Sequence, residues 1–106
     1  MGESDIRTFT EESFETDIRK GLVLVDFYAD WCGPCRMMTP VLKRVADESK
    51  EAVIGKINID DAQKVAMNFQ ITSVPTLILF KNGKEIGRLV GLRDADAVKN
   101  FIGNTV

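Results

Sequence analysis

The segment Leu22-Val23-Leu24-Val25-Asp26-Phe27-Tyr28 is almost uninterrupted in apolar and aromatic side chains. A strand with one wet face alternates apolar and polar residues, so a run without alternation suits a strand covered on both faces by helices. That requirement calls for a sheet at the centre of an α/β domain. This run and the later Leu77 to Phe80 are strand-sized, far short of the about 18 residues of a membrane span.

The rest of the chain can be arranged around this strand. Thr10 is placed to cap a helix, with Phe9 and Phe14 as a hydrophobic staple across its start and Gly21 at its end. From about Pro34 to Lys50, Met38, Leu42, Val45 and Ala46 recur at helical spacing, the stripe ending near Ser49; Met37 and Met38 read as packing residues. Pro40 lies inside that helix and predicts a kink. Val53 to Ile59 reads as a second buried strand, and Asp60 or Asp61 as the cap of a short helix carrying Val65 and Phe69. Thr76–Phe80 and Glu85–Val90 flank Lys81-Asn82-Gly83-Lys84, and Asn-Gly between two such runs signals a hairpin. Asp94 is suited to cap a last helix that buries Ala95, Val98, Phe101 and Ile102. The expected order is β-α-β-α-β-α-β-β-α, one mixed sheet with helices on both sides.

No repeat or linker-like stretch divides the chain, so residues 1–106 are expected to form one domain. A domain of this size buries about two-thirds of its unfolded surface and should fold without metal or structural disulfide. Fourteen basic against sixteen acidic side chains leave a net charge of −2, with no basic field for nucleic acid. Histidine is absent, which excludes Ser/His and Cys/His pairs, His-ligated metal and an imidazole switch. Met1 to Asp5 is polar and acidic, unlike a signal peptide; Gly2 invites myristoylation, but Ile6 stands where Ser or Thr is required. A cytoplasmic protein without membrane attachment is expected. In a reducing compartment a close cysteine pair reads as catalytic or metal-binding.

The two cysteines lie in Trp31-Cys32-Gly33-Pro34-Cys35, directly after the central strand and at the start of the long helix. A helix start offers unsatisfied backbone N–H groups and the positive end of the macrodipole, both of which favour thiolate over thiol. An ordinary thiol is only about 3% ionised at pH 7, and half ionisation needs roughly 2 kcal/mol of extra stabilisation. Cys32, at the exposed start, is the expected nucleophile and Cys35, one turn in, the resolving thiol. As a structural staple this bridge would close so small a loop that it contributes roughly 2 kcal/mol. As a metal site it supplies two of the usual four ligands, the others having to come from another chain.

Asp26 is the only charge in the central strand. Burial should raise its pKa, which suits a functional acid; equally, it could be a satisfied structural acid paired with Lys56, itself set in an apolar strand. Trp31 reads either as a core residue or as an exposed one beside the nucleophile. Val74-Pro75 has an ordinary reading as the entry to a strand.

Val25-Asp26-Phe27, Trp31 to Cys35, Pro40, Val74-Pro75-Thr76, Phe80-Lys81-Asn82-Gly83 and Gly91, in this order, resemble the thioredoxin family along nearly the whole chain. The resemblance implies a thioredoxin fold of five strands and four helices, with a cis Pro75 facing the cysteine pair, and a general protein-disulfide reductase. It implies that Asp26 accepts the proton of Cys35, through water. It further implies that Val74 binds the substrate's extended chain through its backbone, beside a docking surface of Trp31, Gly33, Pro34, Ile59, Val74, Pro75 and Gly91. No bound cofactor is implied: a redox-active Cys32–Cys35 disulfide is recycled by NADPH-dependent thioredoxin reductase, in electron transport and cell redox homeostasis. Disulfide-containing proteins are the implied clients, and a monomer is expected. Oxidising relatives commonly carry histidine between the cysteines, so Gly33-Pro34 favours a reductant over an oxidant or isomerase. A binding module using the same surface is the reading from another class. Tyr28 departs from the family, standing where many bacterial relatives carry a second Trp.

Overall fold

The computed structural model describes residues 6–106; Met1 to Asp5, read above for a targeting signal, lie outside the described residues. The elements are β1 (Ile6–Thr8), α1 (Phe14–Ile18), β2 (Leu22–Tyr28), α2 (Gly33–Glu48), β3 (Val53–Asn58), α3 (Gln63–Asn68), β4 (Thr76–Lys81), β5 (Lys84–Val90) and α4 (Ala95–Thr105). The sheet order is β1-β3-β2-β4-β5. β1 and β2 run parallel to β3, while β4 is antiparallel to β2 and β5. The central strand is therefore β2, as its unbroken apolar run requires.

Alternation along β2 divides the core. Val23, Val25 and Phe27 face one side with Ile57, Ile78 and Phe80, covered by Phe14 and Ile18 of α1 and Val65 of α3. Leu24 faces the other with Ile54, Leu77 and Leu79, under Met38, Leu42 and Val45 of α2 and Val98 and Ile102 of α4. Asp26 and Tyr28 share the Leu24 side and so lie under α2, where the apolar pattern would have put another aliphatic residue. Phe14 anchors the first layer, its ring meeting those of Phe9, Phe27, Phe69 and Phe80. Truncating such a ring to alanine costs about 3–5 kcal/mol.

Three local expectations are corrected. The regular part of α1 begins at Phe14, later than a cap at Thr10 implies. Thr10 Oγ1 accepts the Ser13 N–H while Ser13 Oγ accepts the Thr10 N–H, so this reciprocal pair shapes a turn that leads into the helix. Neither Asp60 nor Asp61 caps α3: Ala62 holds the N-cap position without a side-chain bond, and Phe69 is the C-cap. The Lys64 N–H in its first turn is instead satisfied by Glu11 Oε1, from far back in the chain. β3 ends at Asn58, one residue before Ile59.

Of the two methionines read as packing residues, Met38 of α2 is buried and Met37 is exposed. At the turns and the last helix, local chemistry decides as expected. Asn82 and Gly83, with φ of 51° and 88°, make the two-residue turn between β4 and β5. Asn82 also exchanges hydrogen bonds with the backbone of Gly21, tying the hairpin tip to the entry of β2. The Asp94 carboxylate caps α4 through the Ala97 N–H at 2.8 Å. α2 continues through Pro40, which has no N–H to offer the Arg36 carbonyl. Among the described residues no helix is long and apolar enough to cross a membrane.

Candidate active site

The central strand β2 ends at Tyr28, and Ala29, Asp30 and Trp31 turn the chain into α2, whose N-cap is Cys32. Cys32 has the extended backbone of a cap (φ −95°, ψ 112°), and its Sγ accepts the Cys35 N–H at 3.1 Å. Pro34 sits in the first turn, where a missing N–H leaves no helix bond unmade. Cys32 and Cys35 are joined by a disulfide across a Cα separation of 5.3 Å.

The expectation that Cys32 stands exposed is overturned, since Cys32 and Cys35 are 5% and 4% exposed. Ala29 packs with them, and Tyr28, Ile59 and Val74 close over the group. The Val74–Pro75 peptide is cis, and the Val74 carbonyl oxygen lies 3.7 Å from Cys32 Sγ. A loop about forty residues further along the chain therefore covers the sulfur, which spacing within the motif could not reveal. The Gly91 N–H donates to the Pro75 carbonyl at 2.8 Å, and Gly91 has a φ of 98°, which suits glycine.

Trp31 is 66% exposed, so it is no core residue. Its indole N–H donates to Asp60 Oδ2 at 3.0 Å, which accounts for the carboxylate expected to cap α3. Trp31, Ile59, Ile71, Thr72, Ser73 and Val74 line an open groove of about 480 Å³ beside the disulfide. Gly33 and Pro34 are exposed next to it at the start of α2. Ile71, Thr72 and Ser73 were not singled out from sequence; their position just before Val74-Pro75 was the available signal.

On the inner side of the pair, Asp26 is 3% exposed, and its Oδ1 has no hydrogen-bond partner. Burial raises its pKa to about 7 against the opposing pull of Lys56. Asp26 and Lys56 are register partners, yet no ion pair joins them among the described residues. The ion pair with Lys56 that the reading as a structural acid calls for is therefore not formed. The Lys56 ammonium lies 5.5 Å from the centre of the Tyr28 ring, within cation–π range. A cavity of about 320 Å³ reaches from Asp26 and Lys56 to Cys35. The arrangement sets a buried acid that titrates near neutrality beside the inner cysteine, and an open apolar groove beside the outer one.

Among the described residues no group of three or more His, Cys, Asp or Glu side chains is placed to hold a metal ion.

Comparison with known proteins agrees with this geometry. The family model described as Thioredoxin matches residues 5–104. A thioredoxin of Chlamydia pneumoniae is 50% identical over 97 residues, covering 92% of this chain and 95% of that protein. One of Mycobacterium bovis is 42% identical over 100 residues, covering 92% and 86%. The solved structure of a mutant thioredoxin from Halobacterium salinarum NRC-1 superimposes with a TM-score of 0.87 at 36% identity, covering 96% of this chain and 91% of that one. With a family model matched over nearly its whole length, and with five strands, four helices and a disulfide at the start of α2, the chain belongs to the thioredoxin family and is a protein-disulfide reductase acting through its own Cys32–Cys35 pair.

Proposed function

We propose that in the reduced protein Cys32 is the attacking thiolate, Cys35 the resolving thiol and Asp26 its proton acceptor. Cys32 Sγ attacks one sulfur of a client disulfide; a Cys32–client bond forms, the client's S–S bond breaks, and the second client sulfur leaves as a thiolate that takes up a proton. Cys35 then yields its proton to Asp26 and attacks Cys32 Sγ. The Cys32–Cys35 bond forms as the mixed disulfide breaks, the client's remaining sulfur leaves as a thiolate that takes up a proton, and the client departs with two thiols in place of one disulfide. Two electrons have passed to the client.

The observation that carries this reading is the hydrogen bond from the Cys35 N–H to Cys32 Sγ. A donor already aimed at that sulfur stabilises negative charge on it when the disulfide opens, as does the helix start behind it. The cavity that brings Asp26 to Cys35 supports the second step. A client segment would lie in the groove of Trp31, Ile59 and Val74, with Gly33, Pro34, Pro75 and Gly91 around it, and pair with the Val74 backbone as an added strand.

The oxidised protein is returned to the dithiol by NADPH-dependent thioredoxin reductase, as a cytoplasmic monomer serving electron transport and redox homeostasis. The protein carries no charge between its cysteines to hold the thiolate, which supports reduction of clients over their oxidation. Cys32→Ser is expected to abolish reduction of insulin disulfides, and Cys35→Ser to accumulate mixed disulfides with clients. A fully active Cys32→Ser protein would overturn the assignment.

A further inference from the structure

Opposite charges set side by side on neighbouring strands, one of them buried, ordinarily pair. Asp26 and Lys56 are so placed in the β2–β3 register and do not. Asp26 Oδ1 is left without a partner, while the Lys56 ammonium lies over the ring of Tyr28, two residues along β2 on the same face as Asp26. All three side chains line the cavity that reaches Cys35.

We propose that Tyr28 is a positioning residue for disulfide exchange: its ring face engages the Lys56 ammonium and holds it back from Asp26, leaving the carboxyl free to exchange a proton with Cys35. The inference rests on the reading of Asp26 as the proton acceptor. A carboxylate locked to a lysine stays charged and is a weak base, whereas an unpaired buried one holds its proton near neutral pH, where a shuttle is useful.

The other charged groups around the cavity do not take over the role of Lys56. Arg36, from α2, donates to the Asp30 carbonyl at 3.1 Å. Asp30 lines the same cavity and Asp61 acts on Tyr28 from the loop after β3, both adding negative charge. Burial pushes Asp26 up to about 7 and Lys56 already draws it down; a Lys56 brought into contact would draw it down further, by about one unit or more.

The test is titration of the Asp26 carboxyl carbon by NMR in the oxidised protein, where neither cysteine titrates. Tyr28→Leu, Tyr28→Met and Tyr28→Phe are each compared with and without Lys56→Met. Tyr28→Phe keeps the ring face and is expected to leave the Asp26 midpoint in place. Tyr28→Leu and Tyr28→Met lose the ring and are expected to lower the midpoint by about one unit. In the Lys56→Met background the same changes are expected to move it by only a small fraction of that. An equal fall in both backgrounds would mean that water entry, and not Lys56, is responsible, and would overturn the proposal. So would no fall in either, or a fall with Tyr28→Phe as large as with Tyr28→Leu. None of these readings requires catalysis: should Asp26 play no part in the reaction, Asp26→Asn would resolve mixed disulfides at the wild-type rate, a separate result.

Discussion

The backbone N–H of Cys35 points at Cys32 Sγ from 3.1 Å, so the inner cysteine's own peptide group is aimed at the sulfur proposed to carry the thiolate. With no charged side chain at Gly33 or Pro34, the proposed thiolate would draw its stabilisation from backbone donors and the helix start. Placing an imidazolium there should stabilise the reduced, thiolate-bearing form and make the protein a stronger oxidant. Pro34 is exposed, so Pro34→His should fold normally. Its potential is expected to rise by about 30 mV for each 1.4 kcal/mol of added thiolate stabilisation. Equilibration with glutathione buffers measures this, and a fall in potential would contradict it.

The two steps of exchange should separate on changing Asp26. In the proposed mechanism attack by Cys32 does not use the buried carboxyl, whereas resolution by Cys35 does. Asp26→Asn is expected to slow resolution by roughly 100-fold, at the low end for a lost general base, with much less effect on formation of the mixed disulfide. Rapid-quench analysis of the mixed-disulfide population distinguishes the two. Equal slowing of both steps would remove Asp26 from its proposed role.

Much of this arrangement could be read before the fold was known, where neighbouring residues decide the outcome. β2 follows from its unbroken apolar run, the β4–β5 turn from Asn82-Gly83, and the α4 cap from Asp94. What escaped depends on competition between distant groups. Asp60 had the right spacing to cap α3, but the Trp31 indole claims its carboxylate, and Glu11 supplies the first turn of α3 from the other end of the chain. Lys56 stands opposite Asp26 as the strand order requires, yet which way a flexible lysine leans depends on the ring two residues further along. Burial of Cys32 likewise depends on the loop at Val74, which the Trp31 to Cys35 motif does not encode.

Trp31 offers a test of docking apart from chemistry. Its ring is 66% exposed and borders the groove, so Trp31→Ala should change folding stability by less than about 0.5 kcal/mol. Losing an aromatic anchor for an extended client should raise KM for a protein disulfide by roughly tenfold or more. Reduction of a small aromatic disulfide, which makes few contacts in the groove, should be nearly unchanged. Equal losses for both substrates would place Trp31 in the chemistry instead.

Gly55 in β3 lies directly against the Phe9 ring, and a Cβ there would collide with it. Phe9 is buried in the aromatic layer that Phe14 organises, so the ring has little room to retreat. Gly55→Ala is expected to cost about 1–3 kcal/mol in guanidinium unfolding, as overpacking does. Its placement away from the disulfide predicts unchanged insulin reduction by the fraction that remains folded.

Burial of Asp26 carries a stability consequence with a definite pH window. Its folded pKa of about 7 lies above the ordinary 3.8, so the folded state holds its proton more tightly than the unfolded chain. Between those values folding retains a proton that the unfolded state has released, and stability falls as pH rises. Below the ordinary value both states are protonated and nothing is lost; above about 7 the loss is complete and constant, on the order of 4 kcal/mol. Asp26→Asn removes the ionisation while keeping a polar side chain of the same shape. The variant should therefore gain stability over the parent by an amount that grows from near pH 4 to pH 8 and then levels off, read as the difference between their denaturation midpoints across that range. A difference independent of pH would show that the variant acts through packing or hydrogen bonding and that Asp26 ionises in its ordinary range.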